Sequence, residues 1–243
     1  MVWSAADLRG LDAIRVGSCE IVYAFVSLGG EPAGVDAALL DDDESDRSRR
    51  FVRLPDRRRY VLAHVAMRLL LARCLGIEPG AVSYEHGAHG KPRLAQGLAP
   101  LQFNLSHSGG LGLLAVARER SLGVDIERIR DVPEALSVAD TQFSRAERRG
   151  LRSLPLTEQR AAFFRCWTRK EALLKAEGKG LGHALDSFDV DLAPGSNSAL
   201  KRYAGRPGDQ SGWTLRDLRS PPGYAAAGAI AAPASALMSW REL

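Results

Sequence analysis

Gly123-Val124-Asp125-Ile126-Glu127 follows the apolar run Leu111 to Val116 and a short turn. As a strand, its period of two sets Asp125 and Glu127 on one face and Val124 and Ile126 on the other. Two carboxylates pointing the same way from an apolar base repel unless a cation or a proton lies between them. The pair therefore suggests a hard-metal site completed by oxygen ligands. The same residues also fit a half-exposed strand with its acids on the wet face, and the pentapeptide alone leaves both readings open.

The chain around it has 243 residues, 45% hydrophobic and 26% charged, which suits one large or two small globular domains and excludes disordered and fibrous classes. The net charge of +4 is modest, but its distribution is uneven: Asp41-Asp42-Asp43-Glu44-Ser45-Asp46 is followed by Arg47, Arg49, Arg50, Arg53, Arg57, Arg58 and Arg59. Such a cluster is either a solvated helix face or a binding surface for phosphate or nucleic acid. Cys19, Cys74 and Cys166 are odd in number and widely spaced, which argues against a disulfide framework or a zinc site and fits a reducing compartment. No basic segment leads into an apolar one at the N-terminus, and no apolar run approaches the roughly 20 residues of a membrane span. A soluble cytoplasmic protein is expected.

Residues 1–17 carry mixed signals and read as a leader to the first strand, Ile21 to Val26, which ends at Gly29-Gly30. A short helix is expected from Val35 through the acidic segment. After Pro55, apolar residues at Val61, Leu62, Val65, Leu69 and Leu70 predict a long helix stopping at Gly76. Val82 to Tyr84 reads as a strand and His86 to Lys91 as a glycine-punctuated loop. Leu101 to Leu105 and Leu113 to Ala117 form a hairpin around a Ser106-His107-Ser108-Gly109-Gly110 turn. Beyond the opening strand, Ser144 and Glu147 form a capping pattern, and a second long helix runs from Glu158 to Glu177 before Gly178. Phe188 to Leu192, Trp213 to Leu218 and Tyr224 to Ile230 read as strands, and 193–206 as a surface loop.

Long helix, strand and hairpin thus occur twice. The fold class is α+β, with a pseudo-twofold arrangement of two similar halves, residues 1–118 and 119–243, and a cleft between them as the natural ligand site. The opening carboxylates fall where one half hands over to the other.

Trp167-Thr168-Arg169-Lys170-Glu171-Ala172-Leu173-Leu174-Lys175 sets Trp167, Glu171 and Lys175 on one helical face. Alone, a Glu-to-Lys pair at this spacing is a surface stabiliser worth about 0.2–0.5 kcal/mol. Beside Asp125 and Glu127, Glu171 supplies a third carboxylate and Lys175 a cation for a transferring phosphate, a set that matches magnesium with substrate phosphate oxygens. Asn104 to Gly110 offers a hydroxyl, an imidazole and glycine amides that can cradle an anion or cap a turn. Ser106 and His107 are strand neighbours facing opposite ways, so they are not a nucleophile and its base.

Gly90-Lys91-Pro92, Phe103-Asn104-Leu105-Ser106-His107-Ser108, Gly123-Val124-Asp125-Ile126-Glu127 and Trp167-x-x-Lys170-Glu171-Ala172-x-x-Lys175 stand in the order and spacing of the Sfp-type 4'-phosphopantetheinyl transferases, which this chain resembles over residues 47–192. The resemblance implies transfer of phosphopantetheine from coenzyme A to a serine of an acyl, peptidyl or aryl carrier protein, with release of adenosine 3',5'-bisphosphate. It implies a service to polyketide, nonribosomal-peptide or fatty-acid synthesis. Asp125, Glu127 and Glu171 would hold magnesium, with manganese as the alternative, against the coenzyme A pyrophosphate. Lys175 would offset charge as the bond breaks, and Glu171, or else Glu127, would take the serine proton. Lys91 would lie beside the adenine end and Ser106 and His107 beside the phosphates. Arg59 would bind the 3'-phosphate, with Arg50 and Arg53 as helpers. A basic patch of Arg145, Arg148, Arg149 and Arg152 would receive an acidic carrier helix, and Glu147 matches a further family glutamate. By analogy the protein is expected to be a monomer.

Two rival readings use the same residues. One is another metal-dependent phosphotransfer or phosphodiester hydrolysis enzyme, which would need a positioned water and no carrier. The other is a nucleic-acid-binding module built on Arg47 to Arg59, against which stand the lack of interleaved aromatics and of a recognisable motif. Neither nucleic acid nor membrane is the expected partner.

Overall fold

Two helices of 22 residues organise the structure, one in each of two compact units: Met1–Glu119 with Ser239–Leu243, and Arg120–Met238. The computed structural model describes residues 1–29, 37–86, 90–178, 184–196, 199–204, 206–207, 211–232, 236 and 238–243, with His86 by its backbone only. The elements of the first unit are β1 (Val2–Trp3), α1 (Ala5–Arg9), β2 (Glu20–Ser27), α2 (Asp42–Arg49), α3 (Leu54–Leu75), β3 (Tyr84–His86), β4 (Pro92–Leu94), β5 (Leu101–Ser108) and β6 (Leu111–Arg118). The second holds β7 (Leu122–Arg128), α4 (Ala135–Gln142), α5 (Arg145–Ser153), α6 (Leu156–Glu177), β8 (Asp189–Val190), β9 (Leu200–Tyr203), β10 (Arg206–Pro207), β11 (Thr214–Asp217) and β12 (Tyr224–Ile230). A last strand, β13 (Ser239–Glu242), belongs to the first unit. The fold class is α+β, as expected. Among the described residues no helix is long and apolar enough to cross a membrane.

In the first unit the sheet order is β1-β2-β6-β5, and β13 also pairs with β2. β1 and β13 lie parallel to β2 at different heights, β13 on Glu20 to Tyr23 and β1 on Phe25 and Val26. The Trp3 indole donates to the Leu243 carbonyl at 2.9 Å. Residues 1–17 are therefore more than a leader: they supply a sheet strand and, through Leu8, a fully buried core side chain. The hairpin differs from expectation in length. β5 runs on through Ser106, His107 and Ser108, and only Gly109-Gly110 turns, because the pairing with β6 continues to Ser108 and Leu111. The expected helix from Val35 begins outside the described residues; within them the acidic segment forms α2, closed at its start by an Asp41–Glu44 capping box. The loop 87–89 also lies outside the described residues.

In the second unit β7 and β11 flank β12, and α6 packs on this sheet. The expected α5 start is present as a capping box between Ser144 and Glu147, and Gly178, at φ 69°, ends α6 by donating its N–H to Leu174 O. The Phe188 to Leu192 strand is shorter than expected, and part of 193–206, read as a loop, forms β9 and β10.

A buried cation on each long helix ties these parts together. In the first unit Arg68, 1% exposed, donates to Glu44 Oε2 at 2.6 Å, Asp41 Oδ2 at 2.5 Å and Val82 O at 2.5 Å, with its guanidinium 4.7 Å from the Tyr84 ring centre. In the second Lys170, 0% exposed, pairs with Glu147 Oε1 at 2.8 Å, donates to Leu185 O and Phe188 O at 2.7 Å each, and stands 4.3 Å from the Phe188 ring centre. Both use the last acid of a capping box, carbonyls beyond the helix and an aromatic face, so the repeated plan read from the sequence extends to the buried ionic groups. Glu147, whose role the sequence left open, is a structural counter-ion that also accepts from Val190 N–H.

The second close constraint is Gly123. A Cβ here would lie well inside van der Waals contact of the α6 backbone at Ala172 O and Ala176 N, so only glycine lets β7 approach α6 this closely. We expect Gly123→Ala to cost at least about 3 kcal/mol, measured by urea unfolding, because backbone rather than a flexible side chain must move. Glu147→Gln should cost about 3–5 kcal/mol in the same assay by leaving the Lys170 charge uncompensated. A loss below about 1 kcal/mol for either would contradict its assigned role.

Candidate active site

The side chains that β7 and α6 turn toward each other are the predicted acids and cation. Asp125 lies two residues beyond Gly123 on the same face of β7 and is 3% exposed. Its Oδ1 accepts from Lys175 Nζ at 2.6 Å. Val124 and Ile126, on the other face, are buried as well, so β7 is covered on both sides and its acids do not form a wet face. Glu127 is half-buried at the end of this row, and Glu171 is half-buried one helical turn before Lys175. Burial, then the Asp125 charge, with Glu127 adding to it and Lys175 opposing, hold the Glu171 carboxyl above the usual carboxylate range. That mutual influence is the electrostatic sign of acids gathered around one cation.

Neighbouring residues hold α6 in this rotation. Arg169 makes a two-pronged pair with Asp217 at 2.8 and 2.7 Å and also donates to the carbonyls of Asp191 and Ala193. Trp167, on the Glu171 face, stacks on Phe163 at 6.1 Å between ring centres. Sequence reasoning missed the part played by Arg169. Its signal was a charged residue beside Lys170 in a helix otherwise apolar at those positions.

In the first unit the predicted residues divide. A cavity of about 340 Å³ is lined by His107, Asn104, Gly90, Pro92, Arg47 and Phe51, among others. His107 thus faces it, while Ser106, its strand neighbour, is buried and does not line it. Lys91, half-buried between two lining residues, has its amine pushed down to about 8 by burial. Arg59 is half-buried in the second turn of α3, paired with Asp56 at 2.9 Å and adjacent to the lining residue Tyr60. Arg50 and Arg53 are exposed on the turn between α2 and α3. Tyr60 and His64, which stack at 4.0 Å along α3 and line the cavity, were not foreseen, although their spacing of four residues put them on one helical face.

The basic patch on α5 is partly committed within the fold. Arg148 donates to Asp140 O and Arg152 pairs with the Asp140 carboxylate, which ties α4 to α5 and leaves Arg145 and Arg149 exposed.

Asp125, Glu127 and Glu171 are hard oxygen donors of the kind a divalent cation selects, and the raised Glu171 carboxyl is a repulsion that such a cation would relieve. With Lys175 seated on Asp125, however, no three His, Cys, Asp or Glu side chains among the described residues are grouped tightly enough to ligate one. The donor chemistry fits; the carboxylates are gathered around an ammonium group.

The profile of the 4'-phosphopantetheinyl transferase superfamily matches residues 121–228, and that of the 4'-phosphopantetheinyl transferase N-terminal region matches residues 34–119. The 4'-phosphopantetheinyl transferase HetI of Nostoc sp. is 37% identical over 197 residues, covering 80% of this chain and 80% of the relative. The 4'-phosphopantetheinyl transferase Sfp of Bacillus subtilis is 29% identical over 196 residues, covering 81% and 84%. The 4'-phosphopantetheinyl transferase AcpT of Salmonella typhimurium is 43% identical over 127 residues, covering 52% and 62%. Likeness over four-fifths of both chains, with both matched regions in order, makes this chain a member of the Sfp-type 4'-phosphopantetheinyl transferase family and an enzyme of that transferase type.

Proposed function

We propose that the enzyme moves 4'-phosphopantetheine from coenzyme A to a serine hydroxyl of an acyl, peptidyl or aryl carrier protein and releases adenosine 3',5'-bisphosphate. The observation that carries this reading is geometric: Lys175 on α6 meets Asp125 on β7 at 2.6 Å, with Glu171 one helical turn before Lys175 and Glu127 two residues beyond Asp125. Phosphoryl transfer asks for positioned charge more than for covalent help, and these residues supply it.

Asp125, Glu127 and Glu171 would hold magnesium, with manganese as an alternative, and the ion when bound would neutralise charge on the pyrophosphate. Glu171 takes the proton from the serine oxygen as that oxygen attacks the phosphorus of the pantetheine arm and the bond from that phosphorus to the bridging oxygen of the nucleotide breaks; Glu127 is the alternative base. Lys175 turns its ammonium toward the oxygen that leaves with the nucleotide. The 340 Å³ cavity takes the adenine end of coenzyme A, with Lys91 beside it, His107 toward the phosphates and Arg59 on the 3'-phosphate, while Ser106, buried behind His107, does not reach the ligand. Arg50 and Arg53 add positive potential farther out.

Incubation with apo carrier protein, coenzyme A and magnesium should add one phosphopantetheine to the carrier, read by mass spectrometry. Failure across several carrier types would overturn the proposal and favour a hydrolytic or other phosphotransfer role. Asp125→Ala should lower transfer by on the order of 10²-fold or more with its circular dichroism spectrum unchanged. Near wild-type activity would remove Asp125 from the site. The depressed Lys91 amine sets a pH dependence. It is charged below about 8 and neutral above, so the KM for coenzyme A should rise between pH 7 and 9.5, and Lys91→Ala should flatten that rise. A wild-type KM that stays level across this range would exclude Lys91 from the contact.

A further inference from the structure

The turn between α2 and α3 carries the most exposed apolar side chains of the first unit outside its N-terminal residues. Val52 is 99% exposed and Leu54 56%, and Phe51 beside them leans on Tyr60 at 5.2 Å between ring centres. An aliphatic residue this exposed gains nothing for the fold, since its area stays in water. Around it stand Arg47, Arg50, Arg53 and Arg57, all exposed, and none of the four makes an ion pair among the described residues. Arg49 and Arg59, by contrast, are paired to Asp46 and Asp56. An apolar centre with a charged rim is the anatomy of a protein interface.

The sign of the partner follows from the arginines alone. Pro55 has no N–H, and the Asp56 and Arg57 amides donate to Arg53 O, so the start of α3 presents its cations rather than open amides, and four exposed guanidinium groups select carboxylates. Nucleic acid fits less well, because Phe51 is the single aromatic ring of the turn and leans on Tyr60, so no row of stacking platforms is present there. A membrane surface calls for a longer apolar face than one turn provides. The exposed Leu136 and Leu156 of the second unit line a separate cavity of about 390 Å³, where Arg160 is already paired with Asp131.

We propose that the turn Arg50 to Leu54 docks an acidic, amphipathic helix of a protein partner, and that this partner is the carrier protein itself, in place of the α5 arginines, of which Arg148 and Arg152 are committed to Asp140. The second half of the statement rests on the proposed function. Phe51 both belongs to the turn and lines the 340 Å³ cavity, so a partner seated on Val52 and Leu54 lies at the mouth of the proposed coenzyme A site.

The test is the double variant Val52→Asp with Leu54→Asp, compared with wild type in transfer kinetics and in calorimetric binding of apo carrier without coenzyme A. Neither substitution touches the core, and acids at the start of a helix favour it, so the melting temperature should hold. The expected result is a carrier KM and Kd raised at least about tenfold, with kcat and the KM for coenzyme A within about twofold. Arg57→Glu should weaken carrier binding in the same direction, and added salt should weaken it in wild type. Unchanged carrier binding in the double variant would overturn the proposal even if transfer is normal. If wild type transfers nothing yet binds the carrier and the variant does not, the docking surface stands and the proposed function falls. Wild type that binds no carrier, or a variant that loses only affinity for phosphatidylserine vesicles, would also overturn it.

Discussion

A charge buried on the long helix of each unit is the constraint from which the other arrangements follow. Moving an ammonium or guanidinium out of water costs several kcal/mol unless every donor finds a partner. Lys170 meets that demand with Glu147, two backbone carbonyls and the Phe188 face, and Arg68 with Glu44, Asp41, Val82 O and Tyr84. Each set reaches from the short capped helix, across the long helix, to the segment beyond it. One unit of three elements is thereby locked around a single charge, twice in the chain.

For the second unit the lock has a chemical consequence. Lys170 directly precedes Glu171, and Arg169 is fixed through Asp217, so α6 cannot rotate without exposing or stranding a charge. That rotation presents Glu171 and Lys175 to β7. Gly123 removes the one side chain that would hold strand and helix apart, and Asp125 then meets Lys175 at 2.6 Å. Two buried structural cations and one missing Cβ set the positions of Glu171, Lys175 and Asp125.

In the first unit the same kind of lock leaves a cavity and an open turn. Arg68 and Glu44 place α2 beside α3, and the aromatic row of Phe51, Tyr60 and His64 forms a wall of the cavity. The arginines after the acidic run, which as a string of letters read equally as a solvated face, divide by partner. Some are paired within their helices, and others crowd an exposed apolar turn.

Much of this was legible in the sequence because it depends on local periodicity. The two long helices, the Ser144 and Glu147 cap, the Tyr224 to Ile230 strand and the shared face of Asp125 and Glu127 all follow from residues a few positions apart. The repeated order of elements and the family resemblance were legible too. What the sequence could not decide was which charges are buried. Lys170 and Lys175 are the same residue type on one helix, yet one is a sealed counter-ion for Glu147 and the other faces Asp125. Nor could it show that residues 1–17 complete a sheet, since β1 and β13 pair with β2 from opposite ends of the chain. Burial and long-range pairing are properties of the packed chain, and only the tertiary structure brings the partners close enough to distinguish a sealed charge from a partly exposed one.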